Sequence, residues 1–134
     1  MPHHYANQPV IHSTGVLTRE PETFSTVVVN IVNLDEYYAH PVTIEVWDWS
    51  NSSSPVKLPV LISENSEANF PYLLSSNNLA VFYADLDASV DLYEIRISYR
   101  DHSNIIANCF GRSVPPYTSQ EGKTVYHKQL VRIH

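Results

Sequence analysis

Asp85, Asp87 and Asp91 make a D-x-D-x-x-x-D run, the one acidic cluster of the 134-residue chain. Carboxylates this close are what a hard cation such as Ca²⁺ takes as ligands, but a calcium loop of the EF-hand type spaces them D-x-D-x-D-G with a distal Glu. Here the third aspartate comes late and no glycine follows. Short aspartates in such a run also accept nearby backbone N–H groups and cap turns, so no metal is expected. The seven histidines are scattered (His3, His4, His12, His40, His102, His127, His134) and show neither H-x-H nor H-E-x-x-H spacing. Zinc ligation is therefore unsupported. Cys109, the lone cysteine, lies in the apolar run Ile105–Phe110; it has no partner for an internal disulfide and reads as a small buried hydrophobe. No G-x-S-x-G elbow or Cys–His signature occurs, and three glycines leave no phosphate loop. No catalytic residue and no cofactor are expected.

Aromatic residues offer a different chemistry. Trp47 and Trp49 fall two apart in an alternating segment, which places them on one face of a strand beside Thr43 and Glu45. Coplanar exposed aromatics hold sugar rings by stacking, and Tyr and Trp are also enriched where proteins meet proteins. With nine tyrosines in the chain, Tyr37 and Tyr38 in the connection before Pro41 join the two tryptophans as ligand or interface candidates. The opposing expectation is that the tryptophans fill the core beside Val46.

The elements that must position these groups are strands. In Leu92–Arg100, Tyr93, Ile95, Ile97 and Tyr99 alternate with Glu94, Arg96, Ser98 and Arg100, the period of two of a half-buried strand. Val42–Trp49 alternates likewise. Thr23–Asn33 is apolar on both faces, as in a strand buried between layers. Further strands are expected at 56–62, where Pro59 marks an edge, and at 79–84, 105–110 and 123–133; residues 66–74 stay ambiguous. The compact turn Asp101–Asn104 predicts a hairpin joining Tyr93–Arg100 to Ile105–Phe110, and residues 111–122 read as a loop. A first, weak strand over 10–19 would be broken by Gly15, so residues 1–22 are expected to be a flexible tail or connector and residues 23–134 the folded domain. About eight strands with turns every 8–12 residues predict an all-β chain: a single antiparallel β-sandwich, jelly-roll-like.

Composition narrows the partners. The hydrophobic fraction of 43% is that of a globular chain, whereas charged residues make up only 16%, below the usual quarter. A weakly charged surface suits contact with another copy or another protein. Residues 1–95 hold two basic and twelve acidic side chains, and residues 96–134 hold six and two. Either this asymmetry makes a dipolar subunit or interleaved strands cancel it. A net charge of −6 argues against nucleic-acid binding. The N-terminus lacks the basic and apolar regions of a signal peptide, and no apolar run reaches the length of a membrane span, so cytoplasmic synthesis is expected.

Three segments carry a resemblance: Tyr93–Ile97, Asn104–Gly111 and Val125–Ile133. With the Thr/Val-rich Phe24–Val32 and Val42–Val46, they resemble small β-sandwich proteins of endospore-forming bacilli. Some sandwich proteins of these bacteria build spore surface layers and appendages, polymerising through a mobile N-terminal segment. The resemblance implies a place on the spore surface. The tail here lacks the cross-linking cysteines of appendage subunits, so association would be non-covalent. The expectation is a non-enzymatic structural or interaction sandwich that forms a homo-oligomer or binds a protein, by strand addition or sheet packing. The alternative is a carbohydrate-binding module that uses the surface Trp and Tyr residues.

Overall fold

A computed structural model describes residues 9–19, 24–63, 66–101, 103–114 and 119–133. The chain forms strands β1 (Pro9–Thr18), β2 (Phe24–Asn33), β3 (His40–Asp48), β4 (Val56–Leu58), β5 (Leu61–Ile62), β6 (Ser66–Glu67) and β7 (Tyr72–Leu74). Then follow β8 (Asn78–Leu86), β9 (Leu92–Arg100), β10 (Ile105–Val114), β11 (Ser119–Val125), a single 3₁₀ turn at His127–Gln129, and β12 (Val131–Ile133). Two antiparallel sheets pack face to face as a β-sandwich. The first runs β12-β1-β9-β3-β4, with β7 also pairing β3; the second runs β11-β10-β2-β8-β5-β6.

The strand count exceeds eight because two segments expected to be single strands, and the ambiguous stretch 66–74, each change sheets midway. The 56–62 segment divides at Pro59, where β4 edges the first sheet and β5 joins the second. A proline cannot donate to a ladder, so pairing stops there and the chain turns the corner. Residues 66–74 divide into β6 in the second sheet and β7 in the first, and the closing segment divides around the 3₁₀ turn into β11 and β12. Nor do β9 and β10 form the expected hairpin. The turn at 101–104 carries the chain between sheets: β9 pairs β1 and β3, while β10 pairs β2 along its whole length. Residues 111–114, expected in a loop, extend β10.

The core follows the alternation. Tyr93, Ile95, Ile97 and Tyr99 of β9 and Val42, Ile44 and Val46 of β3 face Val27, Val29 and Ile31 of β2, Phe82 and Ala84 of β8, and Ala107 and Cys109 of β10. Full burial of each large side chain contributes about 1.5–3 kcal/mol relative to exposure. Cys109 is indeed a core residue, and burial pushes its thiol pKa up to about 12, so it is chemically quiet. Burial, with a smaller contribution from Cys109, pushes the Tyr93 hydroxyl to about 12 as well.

Residues 9–18, expected within the tail, are integral to the first sheet. β1 lies between β9 and β12, in register from Pro9↔Arg100 to Thr18↔Leu92. Gly15 does not break the strand. It sits at φ +72° inside a bulge between Ser13 and Val16, and the extra residue is absorbed while pairing resumes beyond it. Residues 1–8 and 20–23, and with them the remainder of the expected tail, lie outside the described residues. A Cβ at Gly15 would meet no heavy atom within 4 Å, so only the left-handed backbone opposes substitution. Gly15→Ala is expected to cost about 1–2 kcal/mol, read as a lower denaturation midpoint with unchanged slope.

The charge asymmetry of the sequence disperses in space. β9, with Arg96 and Arg100, lies between β1 and β3, and Glu45 of β3 sits opposite Arg96.

Candidate interaction surface

Each sheet has one face turned away from the core, and the two outer faces differ in chemistry. On the first sheet, β9 and β3 present Glu94, Arg96, Glu45 and Trp47. Although it stands on the polar side of its strand, Glu94 is only 6% exposed. Its Oε2 accepts Ser13 Oγ at 2.5 Å and Arg96 Nε at 3.1 Å, and its Oε1 accepts the Trp49 indole N–H at 2.9 Å. The β1 bulge supplies the first of these donors. There Ser13 Oγ also accepts the Gly15 N–H at 2.9 Å, and Thr14 Oγ1 accepts the Ile95 N–H at 3.1 Å. Burial works against the Glu94 charge, yet the bonds from Arg96, Ser13 and Trp49 together hold its carboxyl below the ordinary glutamate value.

Trp47 stands directly opposite Glu94 in register and diagonal to Arg96. Arg96 and Lys57 stand over its ring, 5.2 and 5.8 Å from the centroid, and its indole N–H reaches Glu45 Oε1 at 3.4 Å. Neither tryptophan belongs to the core; both are half-buried on the outer surface, tied into one lattice of carboxylates and cations. Beside it, a groove of about 470 Å³ is lined by Pro9, Ile11, Pro41, Thr43, Pro71 and Arg100. A second opening, of about 330 Å³, lies along Thr43–Glu45 and Leu58–Val60, where β3 passes from its β7 partner to its β4 partner.

Tyr37 and Tyr38 are strongly exposed but are not brought to the tryptophans. They precede β3, whereas Trp47 lies near its far end, roughly 23 Å along the strand at about 3.3 Å per residue. Their turn is built by Asp35, whose Oδ1 accepts the N–H groups of Tyr37 and Tyr38 at 2.9 and 3.1 Å and whose Oδ2 meets His40 Nε2 at 3.0 Å. The Tyr37 amide bond and then the His40 contact hold the Asp35 carboxyl below its ordinary value. Fully buried Asn33 pins the same turn by donating Nδ2 to the carbonyls of Tyr38 and Leu74 at 2.9 and 3.1 Å.

The second sheet's outer face was not anticipated in these terms. β2 carries Thr26, Val28, Asn30 and Val32 outward; β8 carries Leu79, Val81, Tyr83 and Asp85; β10 carries Ile106, Asn108, Phe110 and Arg112. Leu79 is 60% exposed, and Val81 and Ile106 are each 41% exposed. Leu34, just past β2, is exposed too. So β2 does not lie between two layers as its doubly apolar sequence suggested. Only its inner face meets the other sheet; on its outer side Val28 is covered, at 4% exposed, and Thr26, Asn30 and Val32 are half-buried between the exposed residues of β8 and β10. That double stripe is the sequence signal from which this face could have been found.

The acidic run is dispersed into separate local roles. Asp85 accepts Thr26 Oγ1 at 3.2 Å, and Asp87 caps the Ser89 N–H and hydroxyl at 2.9 and 2.5 Å. Asp91 stands 3.9 Å from the buried guanidinium of Arg19, whose Nε donates to Val90 O at 2.6 Å. His127 Nδ1 accepts the Ala107 N–H at 3.0 Å and thereby covers the edge of β10 below β11, while His12 stacks on Tyr99 at 5.0 Å. The histidines at 3, 4, 102 and 134 lie outside the described residues. Among the described residues no cluster of His, Cys, Asp and Glu is placed to hold a metal ion, and no helix is long and apolar enough to cross a membrane. Comparison of the chain with protein-family models, with curated proteins and with solved structures finds no significant match.

Proposed function

We propose that this protein is a non-enzymatic β-sandwich whose function is to associate with itself, the outer face of the second sheet being the contact. The observation that carries this reading is the exposed apolar set Leu79, Val81, Ile106 and Leu34 on a surface otherwise poor in charge. Exposed contiguous apolar surface on a soluble domain marks an interaction site. Sheet packing is favoured over strand addition because three of the four sheet edges are blunted: β4, β6 and β12 are two or three residues long, and β4 is flanked by Pro55 and Pro59. That leaves β11, at seven residues, as the one longer edge among the described residues. A place in a bacterial spore or surface assembly rests on the sequence resemblance alone.

Val81→Lys puts a charge in the middle of this face at an exposed strand position, where the cost to folding is within about 0.5 kcal/mol. It is expected to return the protein to single-chain mass by light scattering with little change in melting. Val16→Lys, on the outer face of the first sheet, is expected to leave association intact. Self-association that survives Val81→Lys and fails in Val16→Lys would move the contact to the other sheet and overturn this reading.

The carbohydrate alternative is supported by the groove beside Thr43 and Arg100, whose hydroxyl and guanidinium suit sugar hydroxyls. It is supported less by Trp47, whose ring is already overlain by two cations. It requires a change in tryptophan fluorescence on titration with soluble polysaccharides.

A further inference from the structure

The outer face of the second sheet is ordered in rows set by the β10–β2–β8 register. From one end the rows read Ile106–Val32–Leu79, Asn108–Asn30–Val81, Phe110–Val28–Tyr83 and Arg112–Thr26–Asp85. Two such faces in aligned packing keep their strands within about 30° of each other. A twofold axis in the plane of contact then runs either along β2 or across it. An axis across the strands lays the last row of one copy on the first row of the other, which sets Arg112 on Ile106 and Asp85 on Leu79, charge against hydrocarbon. An axis along β2 lays each β10 side chain over the β8 side chain of the same row. Ile106 then meets Leu79, Asn108 meets Val81, Phe110 meets Tyr83 and Arg112 meets Asp85. Thr26, Asn30 and Val32 of β2 lie near the axis, while Val28, 4% exposed, is too covered to reach it. Of the two arrangements, this one opposes cation to anion in the last row and apolar to apolar in the first and third, with Asn108 on Val81 in the second.

We infer that the partner is a second copy of this chain, packed second sheet to second sheet about a twofold axis along β2, with Arg112 of each copy opposite Asp85 of the other. This rests on the self-association reading above and adds the symmetry, the register and the closure of the assembly. An isologous contact uses the face up on both sides, so it ends at a dimer and does not propagate into a fibre. Three strands about 4.8 Å apart and four rows about 6.7 Å apart span roughly 400 Å² per copy, about half of a standard interface. The dimer is therefore weak and concentration-dependent, and the two charge pairs at the rim set its register.

Charge reversal tests the register. Asp85→Arg gives each copy two cations in the last row, and Arg112→Asp gives each copy two anions. Either variant alone opposes like charges across the dyad, and its dimer dissociation constant is expected to rise at least about tenfold. Mixed in equal amounts, the two variants satisfy both pairs, and a heterodimer of near wild-type affinity is expected by sedimentation of one fluorescently labelled variant with the other. A variant that failed to fold could not be rescued by mixing, so recovery also controls for misfolding. If both variants dimerise as well alone as the wild type while Val81→Lys does not, the register is overturned and the face stands. If wild type, variants and mixture are all monomeric at every concentration, the self-association reading fails with it.

Discussion

Phe82→Ala is expected to lower the stability of the fold by about 3–5 kcal/mol, the cost of emptying an aromatic site in a packed core. Phe82 is fully buried in the middle of β8. Its ring meets Phe70 at 5.3 Å and Tyr72 edge-on at 5.4 Å. Those two residues belong to the segment that leaves the second sheet at β6 and enters the first at β7, so Phe82 anchors a crossing as well as a layer. Aromatic pairs in these geometries add about 0.5–1.5 kcal/mol beyond burial. Against the 5–15 kcal/mol of a typical domain, the loss is large. Chemical denaturation should show it as an earlier midpoint, and a midpoint within experimental error of the wild type would contradict the packing described.

Glu94→Ala is expected to cost about 2–3 kcal/mol, because it strips the acceptor from Ser13, Arg96 and Trp49 at once and leaves a partly buried cation unpaired. Glu94→Gln, which keeps one acceptor oxygen, should cost less. The carboxylate also sets a pH dependence. Its folded pKa lies below the ordinary glutamate value of 4.5, so the unfolded chain binds its proton first as the pH falls. The stabilisation is complete above that ordinary value and is lost as the pH descends through the depressed folded one. Trp49 fluorescence should report the loss locally, and Glu94→Gln should flatten this part of the acid profile. An unchanged profile would mean that the Glu94 lattice contributes nothing to the fold.

The strand periods were legible because alternation records which side chains face the core, and Tyr93, Ile95, Ile97 and Tyr99 all do. Alternation does not record which sheet a strand joins. That is why the turn at 101–104 read as a hairpin, and why Pro59 read as an edge but not as a crossing. Gly15 read as a break since a bulge leaves the same local signature, and the distinction depends on β9, some eighty residues away in sequence. The same distance hid Glu94: on the outer side of an alternating strand a carboxylate reads as solvated, and its cover comes from Ser13 and Trp49. The alternation put the two tryptophans on one face of their strand but could not say whether that face was core or surface, and their engagement with Arg96, Lys57 and Glu94 was not legible. Tyr37 and Tyr38 could not be separated from them without the length of β3.

The proposed self-association of this sandwich is open to direct measurement. Sedimentation velocity of the unaltered chain from about 1 µM to about 1 mM, a range that brackets a weak interface, tests it most directly. The weight-average mass is expected to climb from the 15.2 kDa of one chain toward twice that value and then level off. A single-chain mass at every concentration would contradict it.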